Sequence, residues 1–263
     1  MADRPTVGIL GGNGWMGSAL GRNALSAGLI APEHLLVSTS RRNWSYRDWP
    51  GVTPTPSHLL IERSDILILA VRPEHFVPLV IDASGKLVIS IMARVPMAMI
   101  QEKTRSQQTV RAMPNAAAEF RQSYTPWQAS PQVDDTRKSW LQEFFAASGA
   151  EDEVSCEQHI DYLTALTGSG PAFPALIANI LIEHAMSRGL SEAQATRAVV
   201  TTLDGAARVF QHGPDTPAEL VRRFLSYAGT TTEGLKAMMT HGLNEALFAG
   251  VDAAENAAST APD

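Results

Sequence analysis

Residues 6–18 read Thr6-Val7-Gly8-Ile9-Leu10-Gly11-Gly12-Asn13-Gly14-Trp15-Met16-Gly17-Ser18, an apolar run followed by a glycine-rich turn. Thr6–Leu10 is a short apolar run rich in β-branched residues, which predicts a strand buried on both faces of a parallel sheet. Gly12, Gly14 and Gly17 then fit the spacing G-x-G-x-x-G. In such a turn the first glycine permits a tight bend, the second lets the backbone approach a pyrophosphate, and the third lets helix and strand pack closely. The helix expected over residues 15–28 offers free N–H groups and the positive end of its dipole to phosphates. A glycine pattern alone is weak, but here it follows the first strand and opens the first helix, the context that a dinucleotide site requires. No Gly-Lys-Ser/Thr follows, so a Walker-type phosphate loop is excluded.

Outward from that loop, strand-like and helix-like segments alternate. His34–Ser38, Asp65–Val71, Lys86–Ile91 and Thr109–Met113 predict strands, and residues 57–63, 74–82 and 96–104 predict helices. This alternation predicts an α/β fold with a Rossmann-type doubly wound parallel sheet. After about residue 157 the β-rich runs disappear. Helices are expected over Pro171–Arg188, Ser191–His212, Pro217–Leu225, Thr230–Thr240 and Leu243–Ala254, the second opened by Ser191 with Gln194 at capping-box spacing. The tail from Ala257 to Asp263 has no apolar pattern and is expected to fray. The chain thus divides into a dinucleotide-binding domain, 1–156, and an all-α domain, 157–263. Residues 172–186 are apolar almost all round, and such a helix must be covered on every side. That predicts an intersubunit helix in a homodimer or a higher multiple; the alternative is the central helix of a small bundle.

Composition narrows the partners. The 263 residues carry 21 Lys+Arg against 27 Asp+Glu, a formal net charge of -6. An acidic balance argues against nucleic acid and against an anionic membrane as partners. No apolar run is expected to reach the roughly 18 residues of a spanning helix. The start, Met1-Ala2-Asp3-Arg4-Pro5, leads straight into a strand, so no signal peptide is expected. Cys156 is the single cysteine, which excludes an intramolecular disulfide and a cysteine-based zinc site and fits a reducing, cytoplasmic setting. The seven histidines lie scattered without ligand spacing, so no metal is expected. Trp127 and Trp140 read as core or interface residues.

The end of the second strand selects the cofactor. NAD sites carry an acidic residue there for the ribose hydroxyls. Here the sequence is Ser38-Thr39-Ser40-Arg41-Arg42, with hydroxyls and two guanidiniums. These suit a 2′-phosphate, since arginine donates bidentate hydrogen bonds to it. The expectation is NADPH, with NADH possible; the alternative is two arginines that only solvate a loop.

Several motifs together carry a resemblance. Asp65–Pro73 (DILILAVRP), Arg111–Asn115 (RAMPN), Leu166–Phe173 (LTGSGPAF) and Ser226–Leu235 (SYAGTTTEGL) resemble, in order and spacing, motifs of the pyrroline-5-carboxylate reductase family. The resemblance implies a Rossmann domain, a helical dimerisation domain, and reduction of the cyclic imine 1-pyrroline-5-carboxylate to L-proline by NAD(P)H. It implies cofactor contacts at Gly12, Asn13, Gly14, Trp15, Met16, Gly17, Ser40, Ser57, Ala70, Val71, Arg72, Pro73, Met92, Ala93 and Asn115, beside the Arg41 and Arg42 already read from the strand end. It implies substrate contacts at Glu157, Arg223, Ser226, Gly229, Thr230 and Thr231. The chain departs from the family pattern where Ala116 and Ala117 follow Asn115. It departs again at Arg94, where the family has glycine, and at Tyr227-Ala228, where it has Pro-Gly.

Imine reduction asks for positioning more than for an acid. A hydride reaches the imine carbon and a proton the nitrogen, and a cyclic imine is basic enough to arrive partly protonated, so orientation and electrostatics carry most of the catalysis. Thr231, at the start of a helix whose N–H groups suit a carboxylate, is assigned orientation of the imine; the bland alternative is a helix cap. Gly168-Ser169-Gly170-Pro171 reads mostly as a helix start with Pro171 at the first position. Two other functions stay open. A β-hydroxyacid dehydrogenase shares the layout, but its lysine acid would fall at Pro174. A catalytically weak NADP-binding regulatory protein would also tolerate the altered substrate loop.

Overall fold

The computed structural model describes residues 5–39 and 43–260. The chain divides into two compact units, Met1–Pro171 with Ala254–Asp263, and Ala172–Ala253. The first holds the sheet: β1 (Val7–Leu10), β2 (Leu35–Val37), β3 (Thr53–Pro54), β4 (Ile66–Leu69), β5 (Leu87–Ser90), β6 (Gln108–Ala112), β7 (Ser123–Ala129) and β8 (Gly149–Glu153). Its order is β3-β2-β1-β4-β5-β6-β7-β8, parallel throughout except where β7 runs against β6. The helices among the strands are α1 (Trp15–Ser26), α2 (Ser57–Arg63), α3 (Pro73–Phe76), α4 (Met97–Thr104) and α5 (Asp135–Ala146). α6 (Glu157–Leu163) runs into a π-turn over Thr164–Gly168.

Side-chain alternation explains why the central strands are mostly apolar. Ile9 stands beside Val37 and Ile68, Ile68 beside Ile89, and Ile89 beside Val110, a row across five strands. That row belongs to one core cluster, with Leu20, Trp127, Phe144 and Phe145. The alternate residues Leu67, Leu69 and Val88 belong to the other, with Leu60, Phe76 and Ile100. Both faces are therefore covered, as parallel sheets require.

Several expectations are corrected. Pro32–His34 forms a 3-10 turn, so β2 begins at Leu35 rather than His34. The helix expected over 74–82 stops at Phe76, because Pro78 cannot continue the ladder. The pair β7 and β8, with α5 between them, was not anticipated. β7 contains Pro126, and β8 reads GAEDE, an acidic, largely solvent-facing edge strand with no apolar alternation. Trp127 is fully buried, and Trp140 stacks on Phe144 with ring centroids 5.0 Å apart.

The second unit consists of α7 (Ala172–Ser187), α8 (Glu192–His212), α9 (Pro217–Ser226), α10 (Thr230–Thr240) and most of α11 (Leu243–Ser259). Ser191 and Thr216 open α8 and α9 with complete capping boxes. α11 runs five residues past the expected end, and Thr260 beyond it accepts a hydrogen bond from Arg94, so the tail to that point is ordered against expectation. Only Ala195 and Thr232 are buried among residues 172–253, while Leu176, Ile180, Val200, Phe210, Met238 and Phe248 are all exposed. The helical stretch Glu157–Ser187 is by length and composition apolar enough to cross a membrane, contrary to expectation, since the π-turn joins two segments that read separately in sequence.

Candidate functional site

The first site lies where strand order reverses. From β1 the chain moves outward to β2 and β3, then returns to β4 on the other side of β1, and open α/β sheets bind ligands at such a switch point. A cleft of about 290 Å³ sits there, lined by Gly11, Gly14, Thr39, Ala70, Val71, Arg72 and His75.

The glycines divide the work differently from the simple motif. Gly11 carries the positive φ, +81°, that turns the chain out of β1. A Cβ on Gly12 would stand 2.8 Å from that of Ile9, and one on Gly17 would stand 2.9 Å from the Gly11 carbonyl oxygen. Those two glycines let α1 pack against the strand, and Gly14 caps α1 without a side chain. Gly12 N–H donates to Ile9 at 3.1 Å and Gly14 N–H to Gly11 at 2.9 Å. The first helical bond is Ser18 N–H to Gly14, at 2.9 Å. The amides of Trp15, Met16 and Gly17 precede it and form the free first turn, where anions bind. The residues present therefore fit a dinucleotide. Ser57 is exposed at the first position of α2, and Arg72 is exposed with Glu74 3.7 Å away. The predicted 2′-phosphate residues Ser40, Arg41 and Arg42 lie outside the described residues.

Beyond the carboxyl ends of β5 and β6 stand the next predicted residues. Met92 is buried and its N–H donates to Ser90 Oγ at 3.3 Å; Ala93 follows it. Arg94 holds the left-handed φ of +66° that the family's glycine would adopt freely, and its Nε donates to the Thr260 carbonyl at 2.7 Å. Asn115 is buried, with Oδ1 accepting from Ala117 N–H and Nδ2 donating to the Thr167 carbonyl, both at 3.0 Å. Glu157 Oε1 accepts from Arg111 Nη1 at 2.5 Å and from Met97 N–H at 2.7 Å. Arg111, 3% exposed, also binds Asp161 at 3.0 Å. One carboxylate oxygen of Glu157 is thus committed to fastening α6 against β6 and α4.

In the second unit, the turn from α9 to α10 borders a cavity of about 350 Å³ lined by Arg223, Phe224, Tyr227, Gly229, Thr230, Thr231 and Thr232. Thr230 and Thr231 are exposed on the first turn of α10, and Gly229 caps it without a side chain. Thr232 is buried: its hydroxyl donates to the Phe224 carbonyl at 2.7 Å and accepts from Gly229 N–H at 3.3 Å. That threonine holds the turn and leaves the hydroxyls of Thr230 and Thr231 outward. Arg223 pairs with Asp215, and Ser226 spends its hydroxyl on the Arg223 carbonyl at 2.8 Å. Ala228 keeps a left-handed φ of +48° at the place of the family's first glycine.

Four residues escaped sequence reading: Tyr46, Asp161, Asp215 and Thr232. Asp161 had a signal, four residues after Glu157 on one helix face; Tyr46, 29 residues beyond Gly17, had none. Burial holds the Tyr46 phenol well above its ordinary titration range, with Arg22 offsetting part of the rise.

Comparison with known proteins agrees along the chain. Residues 157–261 match the family model described as pyrroline-5-carboxylate reductase dimerisation, and residues 6–94 match NADP oxidoreductase coenzyme F420-dependent. A pyrroline-5-carboxylate reductase of Methanosarcina acetivorans is 30% identical over 254 residues, 93% of each chain. Among solved structures, a pyrroline-5-carboxylate reductase from Coxiella burnetii superposes with a TM-score of 0.85 at 26% identity, covering 97% of this chain and 98% of that one. The Plasmodium falciparum pyrroline carboxylate reductase with NADP bound has the same fold, with a TM-score of 0.82 at 23% identity and 97% of each chain covered.

Proposed function

The chain belongs to the pyrroline-5-carboxylate reductase family, and on that premise we propose that it reduces 1-pyrroline-5-carboxylate to L-proline with NADPH as the preferred donor. The observation that carries the reading is the glycine cradle at the switch point, with the free first-turn amides of α1 beside it. These amides hold the pyrophosphate of the dinucleotide, and Ala70–Pro73, Met92 and Ala93 bound its remainder. Ser40, Arg41 and Arg42 supply the preference for a 2′-phosphate over two free hydroxyls. When bound, the reduced nicotinamide supplies the hydride that converts C=N to C–N, and the ring nitrogen takes the proton.

The substrate residues act by binding and orientation. The free amides of Thr230 and Thr231 receive the substrate carboxylate, favoured by the helix dipole. Arg223 adds positive charge, tempered by Asp215. The Thr231 hydroxyl orients the imine nitrogen; its own acidity is too weak for an independent acid. Glu157 acts through its uncommitted oxygen or by holding α6 in place. Phe224 and Tyr227 wall the cavity and limit ring size and substituents.

Self-association follows from the helical unit, which in one chain buries almost nothing. The dimerisation model spans the same helices. We assign the apolar surface of α7 to an intersubunit contact in a homodimer, rather than to a lipid bilayer.

The test is oxidation of NADPH with 1-pyrroline-5-carboxylate, followed by product analysis for proline, beside a panel of other cyclic imine carboxylates. Turnover of the named imine supports the reading. Binding of NADPH without turnover of any imine would overturn it in favour of a silent NADP-binding protein.

A further inference from the structure

The chain after β2 grips the glycine loop from beneath. Ser38 Oγ accepts from Gly11 N–H at 3.2 Å. Asn13, only 4% exposed, donates its Nδ2 to the Asn43 carbonyl and accepts Ser45 N–H at 2.8 Å. Tyr46, fully buried, places its hydroxyl 2.9 Å from the Gly12 carbonyl oxygen and 3.2 Å from that of Gly17. Trp44 leans on the Tyr46 ring with centroids 5.3 Å apart. We propose that Tyr46 is a positioning residue for the dinucleotide, fixing through Gly12 the backbone amide that meets the pyrophosphate.

The Gly12 carbonyl and the Asn13 N–H belong to one planar trans peptide and point in opposite directions. A donor that holds the carbonyl therefore sets the direction of the amide. The amides of Gly12 and Gly14 are turned inward, to Ile9 and Gly11, whereas that of Asn13 makes no bond among the described residues. Tyr46 thus orients the loop amide left available to a phosphate, next to the free first turn of α1. Burial raises the pKa of the phenol, which favours the protonated form that donates.

Gly21 lies in the interior of α1, where glycine is less favourable than alanine. A Cβ there would stand 2.3 Å from Tyr46 Oη. The helix carries an intrinsically poor residue at the point where the hydroxyl needs room.

This inference rests on the cofactor reading above. Two variants approach the contact from opposite sides. Tyr46→Phe deletes the hydroxyl and keeps the ring; Gly21→Ala improves the propensity of α1 and evicts the hydroxyl. Each is expected to raise KM for NADPH roughly tenfold, the scale of one lost hydrogen bond, with kcat and the KM for the imine near wild type. Ile100→Val, in the core on the other face of the sheet, supplies a control for general loss of stability. Wild-type NADPH affinity in both variants would overturn the proposal, as would a KM rise of equal size in Ile100→Val at a matched loss of melting temperature. Failure of the wild type itself to bind NADPH would instead sink the cofactor reading and this inference with it.

Discussion

Replacing Arg111 by methionine tests what fastens α6 to β6. The guanidinium is 3% exposed and bonds Glu157 at 2.5 Å and Asp161 at 3.0 Å, while Glu157 also takes the Met97 N–H at 2.7 Å. Methionine retains the aliphatic stem and removes the charge, leaving two carboxylates, 30% and 23% exposed, without a cation between them. Breaking a fully buried pair by deleting one partner costs about 3–5 kcal/mol. These carboxylates keep part of their hydration, which lowers the expected cost to about 2–3 kcal/mol. For a chain of this length, each kcal/mol moves the melting temperature by about 2–4 °C, so Arg111→Met should melt roughly 4–12 °C below wild type. Calorimetry must hold protein concentration fixed, because an oligomer's stability depends on it. Adding Glu157→Gln and Asp161→Asn removes the orphaned charges and should recover most of the loss. A single variant that melts with wild type, or a triple variant as unstable as the single, would refute the electrostatic account.

Thr231→Ala should lower kcat/KM for the imine by roughly ten- to a hundred-fold, the cost of about 1.5–3 kcal/mol for a bond to a charged group, with NADPH affinity and melting unchanged. Its neighbour should behave in the opposite way: Thr232→Val leaves the Phe224 carbonyl and the Gly229 N–H without their partner and should cost about 1–3 kcal/mol of stability in a melting experiment. Ala228→Gly relieves a left-handed alanine and should raise stability by about 0.5–1 kcal/mol after glycine's greater entropy cost is subtracted. Arg94→Gly relieves similar strain but forfeits the bond to Thr260, so its melting temperature should change less than that of Ala228→Gly. Arg41→Asp should erode the preference for NADPH over NADH in fluorescence titrations, and equal affinities in the wild type would remove the basis for that preference.

Much of the first unit was legible because parallel strands buried on both faces must be mostly apolar, and Val7–Leu10, Ile66–Leu69 and Leu87–Ser90 are, with Gly8 and Ser90 the exceptions. The unforeseen strands fail that condition. β7 interrupts its apolar residues with Ser123, Thr125, Pro126 and Gln128, and β8 lies at an edge where acidic residues meet water. The glycine loop was legible as a site, but its conformational hinge, Gly11, sits one residue before the motif. In the substrate loop, the resemblance singled out Thr230 and Thr231, and the sequence carried no mark of the role of Thr232, which burial shows: it turns inward to hold the Phe224 carbonyl of α9, while Thr230 and Thr231 stay exposed.

The altered positions bear on whether the site has decayed. Arg94 and Ala228 stand where the family's pattern has glycine, and both retain the positive φ that glycine would adopt, +66° and +48°. A non-glycine residue held there costs about 1–2 kcal/mol and persists only where surrounding contacts determine the backbone. At Arg94 the bond to Thr260 is one such contact. At Ala228 the turn is held from the next residues, through Thr232, Gly229 and Phe224. The course of the chain is thus preserved at both positions while the side chains on it have changed. A drifting, unused loop would relax into an ordinary conformation, because nothing would maintain the strain. Retention of both left-handed turns, together with a glycine cradle whose free amides are intact, argues for a working reductase.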